Sequence, residues 1–193
     1  MIIRHTIKRH ISSKKNLSSF LEQADKDITS TVYRGTLFEL QTLETLATTA
    51  GMDLEHVGGK SDRGIDLRGK WFNNISILVQ CKNTKQGCTP DQIRELIGTV
   101  ASSTSPSRRK IIGILSTVRR TQSNNNQFTP DVLQQFRAST IALGLVTIEN
   151  TTLKTIMFNK KAQAMLKGLS ISTQHSPLGD EVLVVNIPSS NEE

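Results

Sequence analysis

Four polar residues stand out by type and by the segments that carry them: Glu39, Asp66, Gln80 and Lys82. Brought to one place, two acids, an amide and an amine suggest metal-assisted cleavage of nucleic acid. In residues 58–68, Gly-Gly-Lys-Ser-Asp-Arg-Gly-Ile-Asp-Leu-Arg, glycines and polar residues give way to an apolar/polar alternation that reads as the start of a strand. Ile65 and Leu67 then share one face and Asp66 points the other way. After a turn-like stretch, 69–74, the β-branched run 75–82 predicts a second strand. Its alternation puts Gln80 and Lys82 on one side and Ile77, Val79 and Cys81 on the opposite side, toward the core. An antiparallel hairpin of the two strands puts Asp66, Gln80 and Lys82 within reach of one another.

Glu39 comes from a helix. Over residues 36–50, Leu40, Leu43, Leu46, Ala47 and Ala50 form an apolar stripe at helical spacing, with Gln41, Thr42, Thr45, Thr48 and Thr49 opposite. Glu39 falls inside the stripe. A carboxylate aimed at a core is costly unless a cation or donor meets it, and such groups are often functional. The other account of Glu39 is an edge residue that reaches out to water.

The remaining elements form a scaffold. Thr89-Pro90-Asp91-Gln92 is a capping box that opens a helix to Ala101. Residues 111–115 form a continuous apolar run that suits a central strand covered on both faces. Thr129-Pro130-Asp131 starts a helix expected to end at Gly144, and 145–149 form the next strand. A strand at 153–158, a short helix at 160–166, a loop at 168–179 and an edge strand at 182–187 follow, with no internal repeat. The fold class is α/β: a mixed sheet flanked by helices, with core order α-β-β-α-β-α-β.

The ordered motifs resemble the Mrr-type branch of the restriction-endonuclease-like PD-(D/E)xK nucleases. They are RGTLFELQTLETL at 34–46, GGKSDRGIDLRG at 58–69, ILVQCKN at 77–83 and TPDQIRELIGTV at 89–100, and the likeness covers 32–149. The basic amino end and RELIGTV are also similar to a fungal mitochondrial family described as required for respiratory growth. The nuclease resemblance implies that Asp66 holds Mg²⁺ or Mn²⁺ and that Gln80, in the place of an acidic ligand, coordinates through its amide oxygen. It implies that Lys82 orients or deprotonates the attacking water and offsets charge on the phosphate, and that Glu39 is the helix carboxylate of the set. Phosphodiester hydrolysis needs an in-line water and a stabilised anionic transition state, and a carboxylate-held metal supplies both. Ile65 stands where the superfamily's original proline would be.

Composition agrees with an anionic partner. The chain has 193 residues, room for one ordinary domain, with 24 Lys+Arg against 17 Asp+Glu, a net charge of +7 and a pI near 9.6. Much of that charge lies at the amino end. Residues 1–21 hold Arg4, Lys8, Arg9, Lys14 and Lys15 with no acid, a composition like that of a mitochondrial presequence, and without these five the net charge is +2. The expected organisation is a presequence-like segment at 1–21, a linker at 22–31, the domain at 32–187 and a polar tail at 188–193, in the mitochondrial matrix.

Lys60, Arg63, Arg68, Lys70 and Lys85 flank the proposed site and suit phosphate contacts without base reading. Trp71 and Phe72 either stack on an unpaired base or cap the edge of the core. Cys81 and Cys88 match no zinc spacing and read as reduced thiols. His5, His10, His56 and His175 are scattered, and no apolar run has the length of a membrane span. Three functions stand at this level: a Mg²⁺-dependent nuclease acting on DNA in mitochondrial genome maintenance, an inactive nucleic-acid-binding module of the same fold, and an organelle assembly factor supporting respiration. A homodimer is left open.

Overall fold

A computed structural model describes residues 16–22, 27–57, 64–84, 87–103, 110–119, 127–175, 179 and 181–188. Helix α1 (Leu17–Leu21) is capped by Asn16, whose side chain accepts from Ser19 N at 2.8 Å. Its Phe20 is buried and stacks on Tyr33, ring centroids 5.2 Å apart. The end of the presequence-like segment is therefore packed against the next helix.

That helix, α2 (Thr31–Ala50), begins five residues before the expected start at 36 because Ser30 caps it, accepting from Val32 N at 3.2 Å. It stops where Gly51, at φ 64°, turns the chain out and gives its N–H to Leu46 O. Phe38, Leu40, Leu46 and Ala50 are buried. Contrary to the expected polar face, Thr42 and Thr45 are buried as well. Burial is tolerated because their hydroxyls have partners: Thr45 Oγ1 donates to Gln41 O at 2.7 Å, and Thr42 Oγ1 lies 3.3 Å from Ser116 Oγ.

Among the described residues, one sheet holds β1 (Asp53–His56), β2 (Leu67–Lys70), β3 (Ser76–Lys82), β4 (Ile111–Val118), β5 (Leu143–Glu149) and β6 (Thr152–Phe158), side by side in that order. The pairs β1/β2, β2/β3 and β5/β6 are antiparallel, whereas β3/β4 and β4/β5 are parallel. The α/β class is as expected. Strand β1 is an addition to the expected core order, and its sequence signal is weak because Leu54 is its one apolar residue. It also comes unusually close to β2: a Cβ on Gly69 would lie 1.9 Å from Asp53 O.

Helices α3 (Pro90–Ser103) and α4 (Pro130–Ala138) make the crossovers between parallel strands. The expected capping box is present at α3, where Thr89 N donates to Gln92 Oε1 at 3.0 Å. Two cores result. Phe38, Leu46, Leu67, Ile77, Val79, Ile112, Ile114 and Val146 fill the α2 side, while Leu78, Ile93, Leu96, Val100, Leu115, Val132 and Leu145 fill the α3/α4 side. Strand β4 is buried almost throughout, as its apolar run predicts. Gly113 lets α3 approach it closely, since a Cβ there would come within 2.5 Å of Val100 Cγ2.

Two expectations fail in the second half. Helix α4 ends at Ala138, and Gly144 lies inside β5, where a Cβ would meet the Phe158 ring at 3.0 Å. The stretch read as a loop at 168–179 contains β7 (Ser170–His175), which pairs with β8 (Glu181–Asn186) in a separate hairpin. Ile171 is the one apolar residue of this exposed strand, so its sequence carries little strand signal. Between β2 and β3, Asn73 and Asn74 sit at φ 54° and 55° in a 3₁₀ turn, a conformation that asparagine accepts. Trp71, before that turn, is buried against Phe72 and Phe158 and donates its indole N–H to Ala50 O at 2.7 Å. It caps the core and offers no stacking face.

Candidate functional site

The geometry around Asp66 is set by an irregularity. Leu67 pairs with Val79, yet Asp66 N also donates to Val79 O at 2.9 Å, so two consecutive residues address one residue of β3. That is the pattern of a β-bulge, which re-aims the bulged side chain. It breaks the alternation read from sequence: Ile65 joins the core on the α3 side and Leu67 the core on the α2 side. The Asp66 carboxylate is turned to Cys81, whose backbone N–H it accepts at 2.6 Å. Asp66 is thereby fixed against β3 next to Gln80.

On β3, Leu78 faces α3, and Gln80 and Lys82 follow on that side by alternation. Gln80 is buried, with 1% of its surface exposed, and its Oε1 has no hydrogen-bond partner. Lys82 Nζ lies 3.4 Å from Glu95 Oε2 of α3. Gly64, at φ 75°, stands over the same place: a Cβ there would fall 2.6 Å from Glu95 Oε1 and 2.8 Å from Gln80 Nε2. Gln80, Lys82 and Glu95 thus gather on the α3 side, whereas the Asp66 carboxylate lies at Cys81, whose thiol packs on the α2 side.

Glu39 does not join that group. Its Oε2 is 2.6 Å from His56 Nε2, and the two side chains are 19% and 10% exposed. His56 pairs with Leu67, a residue of the α2-side core, so this contact lies across the sheet from Lys82. The carboxylate in the apolar stripe is met by a donor, but the donor is a histidine. Among the described residues, no three His, Cys, Asp or Glu side chains form a metal-holding group. Residues missed from sequence are therefore His56 and Glu95. Neither carries a local signal, because each gains its partner only when a helix docks on the sheet.

The expected basic rim is only partly described, since Lys60, Arg63 and Lys85 lie outside the described residues. Arg68 and Lys70 are exposed on β2, but they stand directly opposite Glu55 and Asp53 of β1. Cross-strand acids at that spacing offset much of their attraction for phosphate.

Both cysteines are free thiols. Burial first, then the Asp66 charge, pushes the Cys81 thiol well above its usual range, while a hydrogen bond with Thr42 acts the other way. Burial raises Cys88 from 9.0 to about 11, opposed by a bond with Thr117. Because the unfolded chain then loses this proton first, Cys88 contributes stability that is complete below about pH 9 and lost as pH rises toward 11. We expect stability to fall by about 2 kcal/mol over that window, and Cys88→Ala to remove that part of the slope. Urea unfolding at successive pH values reads both.

The buried Gln80 acceptor gives a second expected result. An unsatisfied buried polar group costs about 1–3 kcal/mol, so Gln80→Met is expected to stabilise the fold by about 1 kcal/mol in urea unfolding. A loss of that size would show that the amide is structurally satisfied.

A family model described as "Required for respiratory growth protein 7" matches residues 30–73 and 72–173. The chain belongs to this family. The match runs from α2 into β7 and so contains every site residue described above. An uncharacterized mitochondrial protein of Schizosaccharomyces pombe is 31% identical over 169 residues, covering 81% of this chain and 64% of that protein. The Zygosaccharomyces rouxii protein named "Required for respiratory growth protein 7, mitochondrial" is 26% identical over 153 residues, covering 56% of this chain and 63% of its own length. A Saccharomyces cerevisiae protein of the same name is 24% identical over 154 residues, covering 56% and 64%. The chain thus spans just under two thirds of the length of these relatives. No solved structure gives a significant match. The family's description speaks of growth and names no nuclease activity.

Proposed function

We propose that the protein is a mitochondrial factor supporting respiratory growth. The observation that carries this reading is the family match over most of the fold, with relatives named as mitochondrial. The acid-free basic stretch at 1–21 fits import into the matrix. Expressing the chain in a Saccharomyces cerevisiae strain that lacks its own family member tests the proposal. Restored growth on glycerol and a mitochondrial signal from a carboxyl-terminal fluorescent fusion are expected. A cytosolic signal without rescue would reject it.

One observation favours a more specific reading, in which the protein hydrolyses phosphodiester bonds of DNA with Mg²⁺ or Mn²⁺. It is the buried, unpartnered Oε1 of Gln80, on the strand that carries Lys82 and whose Cys81 N–H is bonded to the Asp66 carboxylate. A cell that keeps such an oxygen away from both water and donors leaves it suited to a hard cation. One carboxylate and one amide oxygen fit an ion that retains most of its waters, as Mg²⁺ usually does. Bound there, the ion would supply charge stabilisation and a more acidic water. Asp66 is oriented for this by Cys81 N, and Lys82, held by Glu95 at 3.4 Å, would have to leave that carboxylate to meet an incoming phosphate. Glu39 is engaged by His56, and its charge, like that of Asp66, acts on the Cys81 thiol.

Plasmid DNA incubated at low salt with Mg²⁺, Mn²⁺ or EDTA tests this reading. Cleavage that needs the cation and falls about 100-fold or more in both Asp66→Ala and Lys82→Ala is expected. Cleavage persisting in both variants rejects the site, and binding without cleavage favours a nucleic-acid-binding module.

A further inference from the structure

We propose that the free side of β6 receives an extended acidic segment of a partner protein, which adds to the sheet as a further strand. The place is three strands away from Lys82 and depends on neither reading above. β6 (Thr152–Phe158) ends the sheet, and among the described residues no strand pairs with its outer side. Asn159 N donates to Leu143 O at 3.1 Å, toward β5. By antiparallel alternation Met157 also faces β5, while Ile156 and Phe158 direct their backbone groups outward. Gln163 Nε2 donates to Phe158 O at 2.7 Å. The N–H and C=O of Ile156 and the N–H of Phe158 are left for an incoming strand.

The two edges of the sheet differ. β1 carries exposed acids at Asp53 and Glu55, charges of the kind that discourage edge pairing. On β6, Lys154 is paired with Glu149 at 3.3 Å near the register shift at Thr147/Ile148, but residues 155–158, Thr-Ile-Met-Phe, carry no charge and no proline. That stretch lines a cleft of about 930 Å³, within the range of roughly 300–1,000 Å³ usual for ligand clefts. Phe136 of α4, with Leu169 and Ile171 at the start of the β7/β8 hairpin, walls it with apolar side chains, and Ile171 is 38% exposed. Arg137 and Lys160, both exposed, also line it, and among the described residues no acid does. An unpaired strand edge selects an extended backbone, apolar walls take alternate side chains, and two cations without a lining acid select carboxylates. Nucleic acid would use the cations and leave the edge unpaired.

Titrating the ¹⁵N-labelled 193-residue chain with the peptide acetyl-(Val-Glu)₄-amide, followed by amide chemical shifts, tests the proposal. Saturable shifts at the Ile156 and Phe158 amides are expected, with a Kd of about 100 µM or tighter. The double variant Arg137→Glu/Lys160→Glu should weaken binding about tenfold or more. Both positions are exposed, so its unfolding midpoint should match the wild type and the loss be one of binding. The same peptide N-methylated along its backbone should not bind, because it cannot donate to the strand edge, and acetyl-(Val-Lys)₄-amide should not bind because of its charge. Equal binding of the N-methylated peptide would overturn strand addition, and equal binding of the lysine peptide would overturn the choice of acidic partners. Laurate or single-stranded DNA binding more tightly at these amides would give the cleft to another class of ligand. A sedimenting dimer that the double variant leaves intact and that blocks the peptide would give the edge to a second copy of the chain. Absence of any shift at millimolar peptide would reject the site outright.

Discussion

Asn159→Leu is expected to remove about 3–5 kcal/mol of stability. Asn159 is buried at the junction of β6 (Thr152–Phe158) and α5 (Lys160–Gln163), where its side chain serves four segments. Oδ1 accepts from Leu143 N at 3.1 Å and Ala162 N at 3.0 Å, which starts β5 and caps α5. Nδ2 donates to Ile141 O at 2.8 Å and Phe136 O at 3.2 Å, closing the end of α4 and the turn beyond it. Leucine has a similar volume and makes none of these bonds, so several buried backbone groups lose their partner at about 1–3 kcal/mol each. Against a typical total of about 5–15 kcal/mol, this leaves the fold marginal. Urea unfolding followed by circular dichroism measures it, and a loss below about 1 kcal/mol would contradict the account. Asn159→Asp keeps the acceptor oxygen and its two bonds but sets a carboxylate against carbonyl oxygens, so it should be destabilised too and should recover as pH falls and the carboxyl protonates.

The second large effect is expected at Trp71, the chain's single tryptophan. Trp71→Ala should cost about 3–5 kcal/mol, because a large ring lying between Phe72 and Phe158 leaves a hole that β6 and the turn cannot fill. Trp71→Phe should cost less, about 1–2 kcal/mol, since most of the apolar contact is kept while Ala50 O loses its donor. The difference between the two separates packing from capping of α2. Native emission should be blue-shifted because the indole is enclosed, and emission already near that of the unfolded chain would show an open base-stacking surface instead.

What could be read from sequence was the part governed by local period. The runs at β3 and β4 are long, β-branched and apolar, and the Thr89/Gln92 and Thr129/Pro130 starts carry their own caps, so these elements lie where the pattern puts them. The class of fold follows from their order. Period failed where the tertiary context overrides it. Two threonines of α2 went inside because β4 and the helix backbone satisfied their hydroxyls, and β1, with one apolar residue, formed because β2 was there to pair with it. The candidate site was legible as a set of residue types on β3 and at Asp66. It was not legible as a set of neighbours, since Glu39 and Lys82 each meet a partner, His56 and Glu95, supplied by a different element.

Counting backbone between Gly64 and Leu67 shows what the shared pairing to Val79 achieves. Remove one residue there, and Leu67 could still sit across from Val79 with all the downstream ladder unchanged. The strand would enter with ordinary up-and-down order, and whichever residue preceded Leu67 would project straight from the pleat instead of bending back to Cys81 N. A relative shortened by a single position in this stretch would spell the same four letters and present a different surface. Counting residues from the turn glycine to the strand is thus a sharper guide to which family members retain this arrangement than the presence of the letters themselves.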